Sequence, residues 1–392
     1  MAAGMSFGGH LSDRRGPGFP FVLGSLLFAG GLLGAGISPS MGFLIAFRAL
    51  QGAGSGLVNA GTYAMVASRY PENLRAKMLA LLSSAWALPA LIGPVWAVFI
   101  SNAIGWRYVF LFVIPLPLLA AGCARFSIRE FDMVRVSSGP GILKYSLQFA
   151  FGIALISGLL TFASQGNLKL LFFLPVSLFV LIPGVSGILK GKSEKFRRIL
   201  FLMIALNASF FGVDGFLPLL LNLARNDPGS FFGGGAITAA SLCWILGAWI
   251  QSHLLTRISR RTLSFAGFIP VIAGVSLSGL VLTYGSIPMW WIVGAWGLAG
   301  GGMGLAYNTI NLIAMGEASS AGQGEDIAVI QLGGVLGMGM GTGAGSVLFA
   351  SFSSLREFSG APFLHYCSIL TILLLSALPS AARLHQERPL RD

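Results

Sequence analysis

One carboxylate of this sequence lies deep within an apolar segment. Asp214 occurs in the run FFGVDGFLPLLL, whereas the other acidic residues fall in polar segments or near the chain ends. Apolar surroundings disfavour the charged form of a carboxyl group. Asp214 could therefore take up and release a proton, as a proton-coupled carrier requires. The alternative is a structural aspartate that is protonated or hydrogen-bonded near the end of its helix.

A second charge, Arg48, lies in the apolar segment RALQGAGSG. An arginine in the middle of a membrane helix costs at least about 2.5 kcal/mol on insertion scales. We therefore expect Arg48 to face a protein interior or a water-filled cavity and to have a partner, either on a proton path or in a structural ion pair. Gly52 and Gly56 have the spacing of glycines that allow helices to approach closely.

Uncharged polar residues within apolar segments could line a cavity or form hydrogen bonds between helices. Asn207 lies seven residues before Asp214 and so on about the same helix face. The candidates for a cavity are Asn59, Tyr63, Asn207, Gln251, Asn308 and Gln331, and Tyr307 and Asn311 are similar in kind.

The residues give no indication of an enzyme. We find no nucleophile–base pair, metal-ligand cluster or nucleotide-binding motif, and we expect neither a metal nor a cofactor. Cys123, Cys243 and Cys367 lie in separate apolar segments without metal-binding or redox spacing. Residues 1–9 lack the basic region and the length of a cleavable signal peptide.

The composition is that of a polytopic membrane protein. Of the 392 residues, 55% are hydrophobic and only 10% are charged, which is too little charge for a soluble protein of this length. Its 54 glycines and 30 phenylalanines suit packed membrane helices. The net charge is +12, and the charged residues lie between the apolar runs instead of in one cluster. This distribution favours a membrane protein over a nucleic-acid-binding protein.

Twelve apolar runs are long enough to be membrane helices, which predicts an all-α fold. They cover residues 18–37, 41–66, 78–100, 108–124, 145–164, 170–189, 199–222, 233–255, 263–284, 289–315, 328–351 and 362–382.

Basic residues are distributed unevenly between the connections. Twenty of the 25 fall in alternate connections and at the chain ends, and the remainder are Arg48, Arg107, Lys169, Arg225 and Arg356. The positive-inside rule then predicts a multi-pass protein of the inner cell membrane with both ends cytoplasmic. Only the connection 316–327 departs from this pattern, because it has acidic residues and no Lys or Arg.

Polar linkers divide the chain into three parts. We predict an N-terminal bundle over residues 1–126, a linker with two extra helices over 127–198, and a six-helix bundle over 199–392. The stretch GGHLSDRRG, which contains Gly9, Asp13, Arg14 and Gly16, is expected to form a tight charged turn between two membrane helices.

Four segments in order over residues 8–110 resemble motifs of the major facilitator superfamily. GGHLSDRRG is similar to the family's loop between helices two and three, RALQGAGSG to its fourth-helix motif, WALPALIGP to its antiporter motif and WRYVF to the start of its sixth helix. The helix count resembles the 14-helix drug:proton antiporter branch, with the first helix and most of the second lacking. Val95 and Trp96 depart from the glycine pair that often follows the antiporter motif.

The resemblance implies roles for matched residues. Asp13 would belong to a cytoplasmic gate, Gln51 and Gly52 to the fourth-helix motif, and Gly93 and Pro94 would shape the fifth helix. The resemblance also implies export of a lipophilic small molecule, either cationic or neutral, in exchange for protons, by alternating access. A carrier of one metabolite or natural product, and a non-transporting remnant or partner-dependent subunit, are the alternatives. The oligomeric state is left open.

Overall fold

The computed structural model describes residues 1–128, 140–164, 168–225, 231–318, 322–350 and 361–384. The secondary structure of this part is helical, which agrees with the all-α prediction. The helices are α1 (Ala2–Arg15), α2 (Gly18–Gly36), α3 (Met41–Arg69), α4 (Glu72–Ala103), α5 (Trp106–Leu111), α6 (Pro115–Ile128), α7 (Pro140–Ser164), a 3₁₀ helix (Leu168–Phe173), α8 (Leu174–Leu189), α9 (Glu194–Asp214), α10 (Leu217–Arg225), α11 (Phe231–Leu254), α12 (Arg260–Thr283), α13 (Trp291–Glu317), α14 (Gln323–Ala350) and α15 (Ala361–Ala382).

Ten helical segments of the described chain are long and apolar enough to cross a membrane, against the twelve that were predicted. The runs 170–189 and 289–315 are not among these ten. The run 170–189 forms the 3₁₀ helix and the 16-residue α8, which is shorter than the ten candidate spans. The run 289–315 forms α13, a 27-residue helix rich in glycine that also contains Asn308 and Asn311. Most of α13 is buried among the other helices, so lipid does not dictate its composition.

Two predicted helices are broken. The run 108–124 divides into α5 and α6, and the run 199–222 divides into α9 and α10. The second break follows Asp214, at Gly215 and Phe216. Pro218 accounts for it, because proline has no N–H to donate to the carbonyl of Asp214 and its ring crowds that carbonyl.

The stretch predicted as a tight charged turn is helical, which corrects the expectation. Helix α1 continues to Arg15, and the chain turns only at Gly16, where φ is 81°. Tertiary packing explains the difference. A Cβ at Gly9 would lie 2.7 Å from the Gly324 carbonyl oxygen, and one at Gly8 would lie 2.8 Å from the Ala60 Cβ. These glycines let α1 lie close to α14 and α3.

The helices form two packed groups. Helices α1 and α2 pack on α3 in the first group, which also contains α4, α5 and α6. Helices α11, α12 and α13 pack together in the second group, which also contains α9, α14 and α15. Helix α7 contacts both α1 and α14, so the hairpin of α7 and α8 lies beside the junction of the two groups. The boundaries at 126 and 198 remain predictions, and residues 129–139 of the predicted linker lie outside the described part.

Candidate functional site

A cavity of about 290 Å³ lies between the two groups of helices. Helices α1, α3 and α4 line one side of it, and α9, α11, α13 and α14 line the other. Of the sequence-predicted residues, Asn59, Tyr63, Asn207, Asp214 and Gln331 contribute to this lining. Met1 and Met338 both line the cavity, so residues 337 positions apart in the sequence meet at one site.

Asp214 is the last residue of α9 and the only acidic side chain in the described lining of the cavity. Its Oδ1 accepts a hydrogen bond of 2.8 Å from the indole Nε1 of Trp296. The helix break that follows it places the carboxyl group at a helix end instead of along a continuous helix.

Aromatic rings form the wall next to Asp214. Phe210 stacks on Trp296 with ring centroids 5.0 Å apart and planes inclined by 14°. Trp244 meets Phe210 edge-on at 5.5 Å and Tyr307 at 5.7 Å. These contacts fix the ring orientations, so the wall presents flat apolar surfaces next to a single carboxyl group. Flat aromatic faces of this kind bind planar apolar groups and organic cations.

A chain of polar side chains begins at Tyr307, which also belongs to the aromatic wall. The hydroxyl of Tyr307 donates to Gln331 Oε1 at 3.0 Å, and Gln331 Nε2 donates to Asn311 Oδ1 at 2.5 Å. Tyr63 of α3 hydrogen-bonds with Tyr307, so the chain crosses from one helix group to the other. The oxygen Oδ1 of Asn59 is buried and finds no hydrogen-bond partner within the described residues, which leaves it available to a ligand.

Two of the residues that were predicted to line the cavity lie outside it. Asn308 is buried and exchanges hydrogen bonds of 3.0 and 3.2 Å with Ser83, which joins α13 to α4. Gln251 is fully buried, and its amide atoms have no partner among the described residues. Neither residue belongs to the cavity lining. Asn207 does line the cavity, but its amide nitrogen is used by the Met203 carbonyl at 2.8 Å.

We expected Arg48 to be buried in the protein interior or in a cavity, and the structure corrects this prediction. Its side chain is exposed on α3, away from the cavity lining. It donates to Gln51 Oε1 at 2.6 Å and lies 6.0 Å from the ring of Phe110. The partner is therefore a neutral amide and an aromatic ring instead of a carboxylate. A role for Arg48 on a proton path stays a prediction.

The two helix groups meet at the end of the bundle that bears Arg14, Arg15, Arg69 and the loop 190–193, which we name the basic end. A buried apolar cluster joins Tyr63, Val66 and Leu79 of the first group to Leu312 and Ile327 of the second. Arg260 of α12 also pairs with Glu72 of α4. The cavity is therefore closed off by side-chain packing on this side.

Asp13 takes part in this closure. Its two carboxylate oxygens accept hydrogen bonds from the backbone N–H groups of Gly324 at 2.7 Å and Glu325 at 3.0 Å, at the start of α14. A carboxylate at this position satisfies N–H groups that lack partners within the helix. Burial raises the pKa of Asp13 to about 6, although these two hydrogen bonds oppose the increase. Glu325 also lies 2.6 Å from Nδ1 of His10.

The positive-inside rule left the acidic connection 316–327 unexplained. Contacts between its carboxylates and basic residues of other segments account for it. Lys192 pairs with Asp326, and Lys195 lies 3.0 Å from Glu317. The carboxylates of this connection thus face the basic loop after α8 and the end of α1.

The glycines of the matched motifs differ in their surroundings. A Cβ at Gly52 would lie 3.3 Å from the Met1 nitrogen, and one at Gly56 only 2.2 Å from the Met1 carbonyl oxygen, so both face α1. Gly93 faces open space, and α4 continues through it without a break. The side chain of Pro94 lies outside the described part. Arg14 is exposed at the end of α1.

Sequence reasoning missed the aromatic partners of Asp214. Trp244 and Trp296 lie in ordinary apolar runs, where an indole at the membrane interface is equally common. It also missed the contact between His10 and Glu325. The only feature of the sequence that could have indicated this contact is that both residues lie in polar stretches next to apolar runs. Within the described residues, no group of three His, Cys, Asp or Glu side chains could hold a metal.

The family assignment follows from comparison with known proteins. The family model of the Major Facilitator Superfamily matches residues 1–342. The chain belongs to this superfamily. It is therefore a multi-pass membrane protein of a transporter family, and this family does not consist of enzymes.

Relatives and solved structures agree with the assignment. The chain is 32% identical to Multidrug resistance protein 3 of Bacillus subtilis over 31% of this chain and 23% of that protein. It is 28% identical to Multidrug resistance protein MdtL of Shewanella oneidensis over 63% of this chain and 60% of that protein. The matches thus span less than two thirds of either relative. The human organic anion transporter MFSD10 has the same fold, with a TM-score of 0.71 and 15% identity over 96% of this chain and 80% of that one.

Proposed function

We propose that this protein is a secondary transporter that exports lipophilic small molecules in exchange for protons. The observation that carries the proposal is the cavity between the two helix groups, where one carboxyl group adjoins aromatic walls. A lipophilic cation would stack on Trp244 or Tyr307 and place its charge near Asp214. The multidrug resistance names of the relatives support this cargo class.

The proposed mechanism is alternating access by movement of one helix group against the other. A proton from outside binds the carboxylate of Asp214, neutralises it and weakens its hold on a cationic cargo, which leaves outward. The proton then passes to the cytoplasm when the cavity opens there, and the ionised carboxylate can accept the next cargo. In this scheme Asp13 helps to keep the cytoplasmic side closed between cycles.

The test is transport of a fluorescent lipophilic cation in proteoliposomes with an imposed pH gradient. Asp214→Asn should abolish the stimulation by the gradient, because the amide cannot exchange a proton, whereas Asp214→Glu should retain part of it. Glu194→Gln is the matched control, since Glu194 lies at the exposed start of α9 and pairs with Arg198 one turn away. If Asp214→Asn responded to the gradient like the unchanged protein, the coupling role of Asp214 would be wrong.

A carrier of one polar metabolite is the second candidate, and the unpartnered oxygen of Asn59 favours it. A buried amide oxygen that must be satisfied by the ligand discriminates strongly against molecules without a donor. Competition by a chemically diverse panel separates the two candidates. A drug exporter should be inhibited by many unrelated lipophilic cations, and a specific carrier by one chemical series. A chain that transports neither would support the partner-dependent alternative.

A further inference from the structure

Five basic residues lie in the loop between α8 and α9 and at the start of α9. They differ in whether a carboxylate lies next to them. Three of them pair with carboxylates of this chain: Lys192 with Asp326, Lys195 with Glu317 and Arg198 with Glu194. For Lys190 and Arg197, no carboxylate of the described residues lies within ion-pair distance. Both are exposed. Within the described part of the chain, these two cations therefore have no carboxylate partner.

These two residues lie in the same open groove. It has a volume of about 630 Å³ and lies between the start of α7 and the end of α8. Arg197 donates to the Leu189 carbonyl oxygen at 3.2 Å, which holds its guanidinium group at the groove. The groove is lined by Tyr145, Pro183, Ser186, Gly187, Leu189, Lys190 and Arg197.

An apolar face of α8 leads into the groove. Val176, Phe179, Pro183, Ser186 and Lys190 follow one another at steps of three and four residues, so they lie along one side of the helix. Val176 is 55% exposed and Phe179 is 79% exposed, because α8 packs chiefly on α7. This face is therefore apolar over its first part and ends in a hydroxyl group and a cation.

We propose that this groove binds the headgroup of an anionic phospholipid. Lys190 and Arg197 would hold the phosphate, Tyr145 would offer a hydroxyl donor, and an acyl chain would lie along Val176 and Phe179. A lipid accounts for the apolar face as well as for the charges, which a free phosphate ion does not. Basic pockets between membrane helices on the cytoplasmic side are suited to anionic headgroups. The site is remote from the cavity and does not depend on the proposed transport.

The test is native mass spectrometry of the full chain in detergent, with phosphatidylglycerol and phosphatidylcholine that have identical acyl chains. The unchanged protein should bind phosphatidylglycerol more tightly. The double variant Lys190→Gln/Arg197→Gln should bind it roughly 30-fold more weakly, on the basis of the usual contribution of each basic residue near an anionic surface. The variant Lys190→Arg/Arg197→Lys, which keeps both charges, should retain binding.

The matched control is Lys77→Gln/Arg257→Gln, which removes one exposed cation from the start of α4 and one from the loop between α11 and α12, and changes the net charge equally. It should bind phosphatidylglycerol as the unchanged protein does. Equal losses in both double variants, or no loss in Lys190→Gln/Arg197→Gln, would overturn the proposal. Displacement of the lipid by an excess of inorganic phosphate would also overturn it, because the groove would then be an ion site. Elution as a single species verifies that each variant is folded.

Discussion

Closure of the basic end should depend on pH through Asp13. Burial raises the pKa of this carboxyl group to about 6, the N–H groups of Glu325 and Gly324 oppose the increase, and the charges of Glu325 and Asp326 add to it. When the helix groups separate, Asp13 becomes solvated and its pKa returns to about 4, as in model peptides. The closed arrangement therefore holds the proton more tightly. Acidification favours closure, and this preference is lost as the pH rises through about 6.

The magnitude follows from the two pKa values. At pH 7 both arrangements are almost fully ionised, so the proton contributes little to the equilibrium between them. At pH 5 the closed arrangement is about ten parts protonated to one ionised, whereas the open one is still mostly ionised. The equilibrium between closed and open should therefore shift roughly tenfold, or about 1.3 kcal/mol, between pH 7 and pH 5.

Distances between spin labels across the basic end would measure this shift. Arg14 and Arg257 are exposed and belong to different helix groups, so each can be replaced by a labelled cysteine once Cys123, Cys243 and Cys367 are removed. The ratio of short to long distances should rise about tenfold on going from pH 7 to pH 5. His10 contacts Glu325, whose N–H group is bonded to Asp13, so the series is repeated in a His10→Gln background.

Asp13→Asn should flatten this pH profile. The amide oxygen of the introduced asparagine can still accept a hydrogen bond from one N–H group of α14, but the amide does not titrate. The reasoning would be refuted if Asp13→Asn kept the tenfold dependence, or if acidification of the unchanged protein lengthened the distances.

The remaining predictions concern packing and the cavity. A Cβ at Gly304 would lie 2.3 Å from the Trp244 carbonyl oxygen, so Gly304→Ala should destabilise the protein in detergent by about 1–3 kcal/mol, whereas Gly93→Ala, in open space, should be neutral or slightly stabilising. Equal unfolding temperatures for the two variants would contradict the close approach of α11 and α13. Tyr307→Phe removes the donor to Gln331 Oε1 and should cost about 1–3 kcal/mol in unfolding free energy, while Tyr284→Phe, at an exposed position, serves as the control. An unchanged free energy for Tyr307→Phe would mean that the polar chain of the cavity adds no stability.

Local sequence was a reliable guide where lipid dictates composition. Runs of about 20 apolar residues were sufficient to predict the helices, because a backbone in the hydrocarbon region must satisfy its own hydrogen bonds. The same rule was less reliable for α13 and α8. Helix α13 is surrounded by protein, and α8 is a 16-residue helix that continues a 3₁₀ turn. The expected turn at GGHLSDRRG was wrong because charged and glycine residues suggested a loop, whereas Gly8 and Gly9 serve close helix packing.

The sequence by itself determined the class of protein, the approximate helix positions and the unusual character of Asp214, since each of these follows from the cost of polar groups in an apolar setting. The tertiary structure alone decided which residues meet. It brought Trp296 to Asp214, joined Tyr63 to Tyr307, placed Asp13 at the start of α14 and left Arg48 exposed. The physical reason is that contacts between helices far apart in the chain depend on their rotation and depth in the bundle. Packing of all the helices together sets both of these, and no local pattern of residues encodes them.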